Sequence, residues 1–188
     1  MTATAKPEDY PNTPSEVRIR AIDPHSADEI ALVAMRMRET LIEVEGEETG
    51  ASLYSIEWLK ERVRWHLDPQ QCTGQVFLSE NGKGHITGHT IVRIEVDESG
   101  KRFGLFSTTF VEPAFRRQSV ASLLITHGEG WMTGQGLALA ATWTSASNTK
   151  LIGLYEKHGY AIDARHTHEV TNTPMIRMAK VLCPRLRV

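Results

Sequence analysis

The sequence has little that would tie the protein to an oxidising compartment, a membrane or a nucleic acid. Its only cysteines in 188 residues are Cys72 and Cys183, which are far apart and lack metal-ligand spacing, so reduced structural thiols are favoured over a disulfide or a nucleophile. No apolar run approaches the ~20 residues of a membrane span, and the polar N-terminus lacks a signal-peptide core. A formal net charge of -2 gives no general reason to expect nucleic acid or an anionic membrane as partner. We therefore expect a cytoplasmic protein.

The two common glycine-rich phosphate loops are absent as well. Neither Gly-x-x-x-x-Gly-Lys-Ser/Thr nor Gly-x-Gly-x-x-Gly occurs, which disfavours a nucleotide-binding protein. The length of 188 residues fits one domain, and 40% hydrophobic with 23% charged residues is ordinary for a globular chain. Residues 1–16 are polar and contain three prolines, so we predict a flexible lead-in to a domain over residues 17–188.

Apolar residues recur with two different periods, which predicts both strands and helices. Strands are predicted at residues 17–22, 75–80, 86–96, 103–111, 137–145, 160–168 and 175–182. Helices are predicted from Ser26 to about Leu41, with Glu29 as capping-box partner of Ser26, and at residues 55–67, 119–135 and 149–158. The acidic residues 43–50 are predicted to be a loop. This order, an antiparallel meander followed by a parallel crossover, predicts a mixed α/β fold.

Residues 108–122 hold the most informative segment. A strand ends at Val111, Pro113 stops sheet pairing, and a basic loop with Arg116 and Arg117 leads into a helix near Ser119. The first amides of a helix lack internal partners and lie at the positive end of its dipole, so this loop suits a pyrophosphate. An ordinary strand-to-helix turn with a basic surface is the alternative.

Two motifs in this part of the chain resemble the GNAT family of acetyltransferases. The first is Val111-Glu112-Pro113 followed by Arg116-Arg117-Gln118-Ser119-Val120-Ala121, which resembles the family's Arg/Gln-x-x-Gly-x-Gly/Ala loop. The second begins at Asn148 and contains Leu154-Tyr155-Glu156-Lys157-His158-Gly159-Tyr160. Ser119 stands where the family most often has glycine. We expect its hydroxyl to cap the helix and its φ to be negative. Leu151 is a second departure, since that position is usually a small residue.

The resemblance implies a GNAT-like acyl-CoA N-acyltransferase fold, a single domain whose central sheet splays after the strand at residues 103–111. It also implies acetyl-CoA as co-substrate. Its pyrophosphate would be held by the loop residues Arg116, Arg117, Gln118, Ser119, Val120, Ala121 and Ser122, and its pantetheine arm would lie along Phe110 and Val111. Asn148 would contact the arm or simply cap its helix. Tyr155 would protonate the leaving thiolate, or it is a packing residue.

The general base and the acceptor are less well defined by the sequence. Candidate bases are Glu95, Glu112, His89, His166 and His168, although a lone histidine is more often a surface or core residue. His166 and His168 would share one strand face, but without a third ligand in register we predict no metal.

The acidic run Glu43, Glu45, Glu47 and Glu48 favours a cationic amine acceptor, with a solvated loop as the alternative. Three further readings stay open: a catalytically silent acyl-CoA-binding module, a larger donor such as succinyl-CoA, and assembly as a homodimer.

Overall fold

The strands form one seven-stranded sheet in the order β1-β2-β3-β4-β5-β7-β6. A computed structural model describes residues 17–182 of the chain; the lead-in predicted for residues 1–16, the end of the predicted domain at residues 183–188, and Cys183 lie outside the described residues. The strands are β1 (Arg18–Ala21), β2 (Gly74–Glu80), β3 (Ile86–Val96), β4 (Arg102–Val111), β5 (Leu139–Ser145), β6 (Ala161–Thr167) and β7 (Pro174–Val181). The helices are α1 (Ala27–Glu45), α2 (Glu47–Ser52), α3 (Ile56–Leu67), α4 (Val120–Gly134) and α5 (Thr149–Lys157), with a 3-10 turn at Pro113–Phe115. The predicted mixed α/β class is confirmed.

Side-chain caps explain where two of the helices begin. Ser26 Oγ accepts from the backbone N–H of Glu29 at 3.3 Å, as predicted. Ser55 Oγ accepts from Trp58 N–H at 3.1 Å in the same way. The Glu29 carboxylate, however, accepts from Asp23 N–H at 2.9 Å and pairs with Arg20. It therefore ties α1 to the strand before it and does not close a capping box on Ser26.

The acidic segment at residues 43–50 is helical, so the loop prediction was wrong. α1 continues to Glu45, and α2 begins two residues later at Glu47. Gly46 separates the two helices with a φ of 86°, a value that glycine adopts without steric cost. α2 then folds back so closely that a Cβ on Gly50 would lie 2.5 Å from Ile42 Cα. Local acidity suggested a loop, but this packing favours a helix.

β4 and β5 are paired over a very short distance. Their parallel register covers only Gly104–Phe106 opposite Ala140–Thr142. On the other side of β4, Ile91 pairs with Thr108 and Val92 with Phe106, which leaves Ser107 as the extra residue of a β-bulge. A bulge bends and twists its strand. Beyond it β4 and β5 separate, so the sheet is splayed as the family resemblance implied.

Helices cover the two faces of the sheet with separate apolar clusters. α4 packs on one face through Leu124, Ile125 and Met132. α1 and α3 pack on the other face, where Val33 and Leu59 belong to the same cluster as strand residues of β2 and β3. No helix within residues 17–182 is long and apolar enough to span a bilayer.

α4 lies against β4 so closely that one position tolerates no side chain. A Cβ built on Gly128 would lie 2.5 Å from Phe106 Cε1. We predict that Gly128→Ala lowers the free energy of unfolding by about 1–3 kcal/mol, because it overpacks a filled core. Gly130→Ala on the same helix is the control, since a Cβ there meets nothing within 4 Å. It should stabilise by ~0.5–1 kcal/mol through helix propensity. Urea unfolding of both variants measures this, and equal effects would contradict the close packing.

Candidate functional site

A cavity of about 200 Å³ opens where β4 and β5 separate. One wall is the end of α1 with the segment after α2, and the opposite wall is the start of α5. The floor is formed by β4 and β5, and the turn after β6 closes the remaining side. Its lining residues are Thr40, Leu41, Val44, Glu45, Leu53, Tyr54, Ser107, Thr108, Thr109, Thr142, Trp143, Thr144, Ser145, Asn148, Leu151, Tyr155, His168, Thr171 and Met175. Three of the predicted site residues, Asn148, Tyr155 and the candidate base His168, are therefore brought together here.

The loop before α4 adopts a left-handed backbone at two positions. Arg117 has a φ of 67° and Ser119 a φ of 63°. The expectation of a negative φ at Ser119 was wrong, and its side chain makes no capping hydrogen bond either. The chain has to turn sharply from the 3-10 turn at Pro113–Phe115 into α4, and left-handed residues supply that turn. Left-handed residues in a turn of this kind also direct successive N–H groups into one concavity, which suits an anion.

The amides of this loop are free to bind a ligand. Across the described range 17–182, the N–H groups of residues 117–122 donate to no protein acceptor; the first helical bond is Leu123 N–H to Ser119 O at 3.0 Å. Six donors therefore lie at the positive end of a 15-residue helix. Unsatisfied donors of this kind bind phosphate oxygens well. The loop fits the pyrophosphate that the sequence resemblance implied.

The Arg116 guanidinium is hydrogen-bonded to other groups of the protein. Its Nε donates to Val111 O at 2.9 Å, and its two Nη atoms reach the Glu43 carboxylate at 3.1 and 2.9 Å. Lys150, at the start of α5, lies 3.5 Å from the same carboxylate. The hydrogen bonds from Arg116 hold the pKa of Glu43 below its usual value. Glu43 therefore joins α1, the loop and α5, which no local sequence signal indicated because the partners are far apart in the chain.

Tyr155 is placed so that both readings from the sequence, packing residue and proton donor, remain compatible with its geometry. It is buried at 1% exposure and packs edge-on against Phe106 and Tyr160. Its hydroxyl nevertheless borders the cavity, 3.4 Å from Thr109 Oγ1. Burial raises the pKa of Tyr155 to about 12, so the phenol carries its proton at neutral pH.

Asn148 caps α5, with its Oδ1 accepting from Leu151 N–H at 3.2 Å. It also lines the cavity, so the two sequence readings of this residue are compatible.

Neither predicted carboxylate base lines the cavity. Glu95 pairs with Arg93. Glu112 pairs with Arg36 and with His85, each at 2.7 Å. Desolvation opposes ionisation of Glu112, but the hydrogen bonds from His85 and Arg36 outweigh it and lower its pKa. The geometry disfavours both carboxylates as the base.

His89 and His166 are also poorly placed. His89 is fully buried and stacks on Phe110. Burial lowers its pKa to about 3, so it is a neutral core residue near physiological pH. His166 is exposed beside Trp143.

His168 belongs to a polar chain at the cavity wall. It follows the end of β6 at Thr167, so it does not share a strand face with His166 as predicted. Its Nδ1 lies 3.0 Å from Thr171 Oγ1, which lies 2.7 Å from Thr173 Oγ1. Thr173 Oγ1 in turn donates to Glu45 Oε2 at 2.8 Å. Among residues 17–182, no three His, Cys, Asp or Glu side chains are grouped as a metal site.

A splayed sheet with an amide-rich loop beside the split suits a ligand that carries phosphate groups. The sequence model of the acetyltransferase (GNAT) family matches residues 36–160, and the chain belongs to that family. Members of this family use acetyl-CoA as co-substrate. A comparison with curated proteins found no match.

Solved structures with similar folds share little sequence with this chain. The acetyltransferase of the GNAT family from Streptococcus pneumoniae is 20% identical, with a TM-score of 0.64 over 88% of this chain and 99% of that one. The spermidine N-acetyltransferase from Vibrio cholerae, in complex with CoA and spermine, is 16% identical, with a TM-score of 0.67 over 90% and 97%. The NatC complex bound to Gag peptide and CoA is 15% identical, with a TM-score of 0.67 over 89% and 99%. At these identities the likeness establishes the fold.

The left-handed φ of Ser119 leads to a test of the loop backbone. We predict that Ser119→Gly raises the free energy of unfolding by ~1 kcal/mol, because glycine adopts this conformation without the Cβ penalty. Ser122→Gly, three residues later in the first turn of α4, is the matched control and should lower it by ~0.5–1 kcal/mol. Chemical denaturation without ligand measures both. A destabilising Ser119→Gly would contradict the left-handed conformation.

Proposed function

We propose that the protein transfers an acetyl group from acetyl-CoA to a primary amine of a small molecule or peptide. The observation that carries the proposal is the set of six unpartnered amides at residues 117–122 beside the parted strands. Two similar structures contain CoA with an amine or peptide ligand, spermine in one and a Gag peptide in the other. A silent binding module or a larger acyl donor would share this loop, so activity has to decide between them.

The binding roles follow from the backbone. The amides of Arg117, Gln118, Ser119, Val120, Ala121 and Ser122 would hold the pyrophosphate. The pantetheine arm would lie against the end of β4, at Phe110 and Val111, where β5 no longer pairs. Arg116 would act through its bonds to Val111 O and Glu43, which hold the loop at the strand end. Asn148 would shape the opposite side of the split.

Acetyl transfer to a neutral amine requires one proton to leave the nitrogen and one to reach the sulfur, and an acceptor that starts as an ammonium group has to lose a further proton first. The amine nitrogen bonds to the carbonyl carbon as the carbon–sulfur bond breaks, and the departing thiolate takes a proton. The hydroxyl of Tyr155 carries that proton at neutral pH and borders the cavity. No covalent intermediate with the enzyme is needed.

The chain from Glu45 to His168 supplies a place for the proton from the amine. Thr173 Oγ1 donates to Glu45, and His168 Nδ1 accepts from the backbone N–H of Thr171 at 3.2 Å, so the Glu45 carboxylate is the member of the chain that can take up a proton. We propose that it accepts the proton that an ammonium group must lose before it can attack.

The proposed transfer is tested by thiol release over a panel of amines, together with thermal shift by acetyl-CoA. A ligand that binds only the folded protein raises the melting temperature. Ala121→Glu, which puts bulk and negative charge at the start of α4, should abolish that shift. Thermal shift without thiol release from any amine would support the silent-module alternative.

Tyr155→Phe retains the packing ring and removes the proton. We predict that kcat falls by about 10²–10⁴-fold while the acetyl-CoA thermal shift is retained, because general acid catalysis has this size. Tyr160→Phe is the control, since its ring packs against Tyr155 but does not line the cavity. Stopped-flow or steady-state thiol release measures kcat, and full activity of Tyr155→Phe would exclude the phenol as acid.

Glu45→Gln tests the proton-accepting chain. A glutamine keeps the size of the side chain but takes up no proton, so we predict a kcat at least about 10-fold lower near neutral pH. Thr173→Val should have a similar effect because it removes the link to Glu45. Glu47→Gln, exposed two residues later, should leave kcat unchanged. Normal kcat in both Glu45→Gln and Thr173→Val would rule the chain out.

A further inference from the structure

Two arginines lie behind the cavity wall with only part of their charge neutralised. Arg62 is on α3 and Arg93 is on β3, on the same face of the sheet. Both guanidinium groups lie near the ring of Trp65, with Cζ 4.1 Å from its centroid for Arg62 and 6.0 Å for Arg93. A guanidinium on an aromatic face loses water there but keeps its edge free for an anion.

Arg93 is held in place by three neighbours. Its Nε donates to Glu95, and its Nη1 donates to Ser107 Oγ and to His66 Nε2, the last at 3.3 Å. His66 Nδ1 lies 2.7 Å from Arg62 O, an acceptor, so Nδ1 carries the hydrogen and Nε2 is free to accept. Burial lowers the pKa of His66 to about 4, so the ring orients Arg93 without adding charge.

The charges at this position do not balance. Glu95 is the carboxylate paired with Arg93, while Arg62 has no hydrogen-bond acceptor or ion-pair partner for its guanidinium within residues 17–182. Desolvation and the nearby charge of Arg93 lower the pKa of Arg62. Two guanidinium groups therefore face one carboxylate, and a second carboxylate would complete the cluster.

The cluster is in contact with the reaction cavity. Ser107, which receives the bond from Arg93, is the bulged residue of β4 and lines the cavity. Neither Arg62 nor Arg93 lines the cavity itself, so Ser107 is the residue through which the pair adjoins it. Glu45 lines another side of the same cavity. The cavity thus has a carboxylate for an amino group, and a guanidinium pair for an acid lies directly behind Ser107.

We propose that the acceptor carries a carboxylate as well as the reacting amine, and that Arg62 and Arg93 bind that carboxylate past Ser107. The proposal rests on the proposed acetyl transfer and adds the class of acceptor. An amino acid and a peptide with an acidic side chain near its N-terminus both supply this chemistry.

Matched acceptors test the proposal directly. We expect a free amino acid or an acidic peptide to be acetylated with a kcat/KM about 10- to 100-fold above its carboxamide counterpart, since a hydrogen bond to a charged group has this size. Comparing aspartate with its two amides, and Asp-leading with Asn-leading peptides, distinguishes the two sources. Equal kcat/KM for every acid and its amide would overturn the proposal.

Arg62→Gln should remove this preference by raising KM for the acid with little change in kcat. The amide counterparts should be acetylated as by the unaltered protein. Arg64→Gln is the control on the same helix, because Arg64 pairs with Glu61 at the surface. A preference that survives in Arg62→Gln would also overturn the proposal.

Binding without turnover separates this inference from the proposed function. Thermal shift by each acid and its amide needs no acetyl transfer. An Arg62-dependent shift with the acid, in a protein that releases no thiol, would support the carboxylate site and reject the proposed transferase activity. Thiol release without a preference for the acid over its amide would support the proposed transferase activity and reject the carboxylate site.

Discussion

The structure depends on how few residues pair between β4 and β5. Three residue pairs join the two strands, and the bulge at Ser107 bends β4 away immediately afterwards. Backbone groups buried without partners are costly, so a split sheet is stable only if something else satisfies its edges. Side chains do part of this: Thr142 Oγ1 donates to Phe106 O at 3.1 Å, and Thr90 Oγ1 donates to Thr108 O at 3.0 Å. The remaining edge is where an extended ligand can take the place of a strand.

The cavity owes its polarity to elements that approach this split from distant parts of the chain. α1 brings Glu43 and Glu45 to it, while the turn after β6 brings His168 and Thr171. β3 and α3 place the arginines behind Ser107. Each contact joins residues that are remote in sequence, so the site exists only in the complete fold. A perturbation of α1 would therefore reach both the loop before α4, through Glu43, and the cavity, through Glu45.

Much of the fold could be predicted from the sequence, because the spacing of apolar residues and the helix caps depend on residues that are close together in the chain. The predicted strands fall within a few residues of the observed ones, and Ser26 caps α1 as predicted. The motif from Val111 to Ala121 and the second motif from Asn148 to Tyr160 together were sufficient to predict the family. Residues 43–50 were misread because the interaction that makes them helical, the fit of Gly50 against Ile42, is tertiary. Ser119 was misread because the tight turn into α4 outweighs the modest cost of a left-handed serine.

The functional partners could not be predicted from sequence because their spacing in the chain carries no signal. Glu45 and Thr173 are 128 positions apart, and Arg116 and Glu43 are 73 apart. A run of four glutamates looked uniform, yet Glu43 and Glu45 have distinct bonded roles while Glu47 and Glu48 are exposed. The composition of this run indicates only that its charge is negative. The folded geometry determines which of the four glutamates forms bonds at the site.

The pairing of Arg116 with Glu43 has a consequence for how an anionic substrate is attracted. The guanidinium charge of Arg116 is offset locally by Glu43, so Arg117, which pairs with no carboxylate within residues 17–182, supplies the net positive charge of the loop beside its oriented N–H dipoles. The field of a dipole falls off faster with distance than that of a net charge. Arg117 should therefore attract an anion over a longer range that salt screens, whereas the N–H dipoles should act only once the ligand has entered the split.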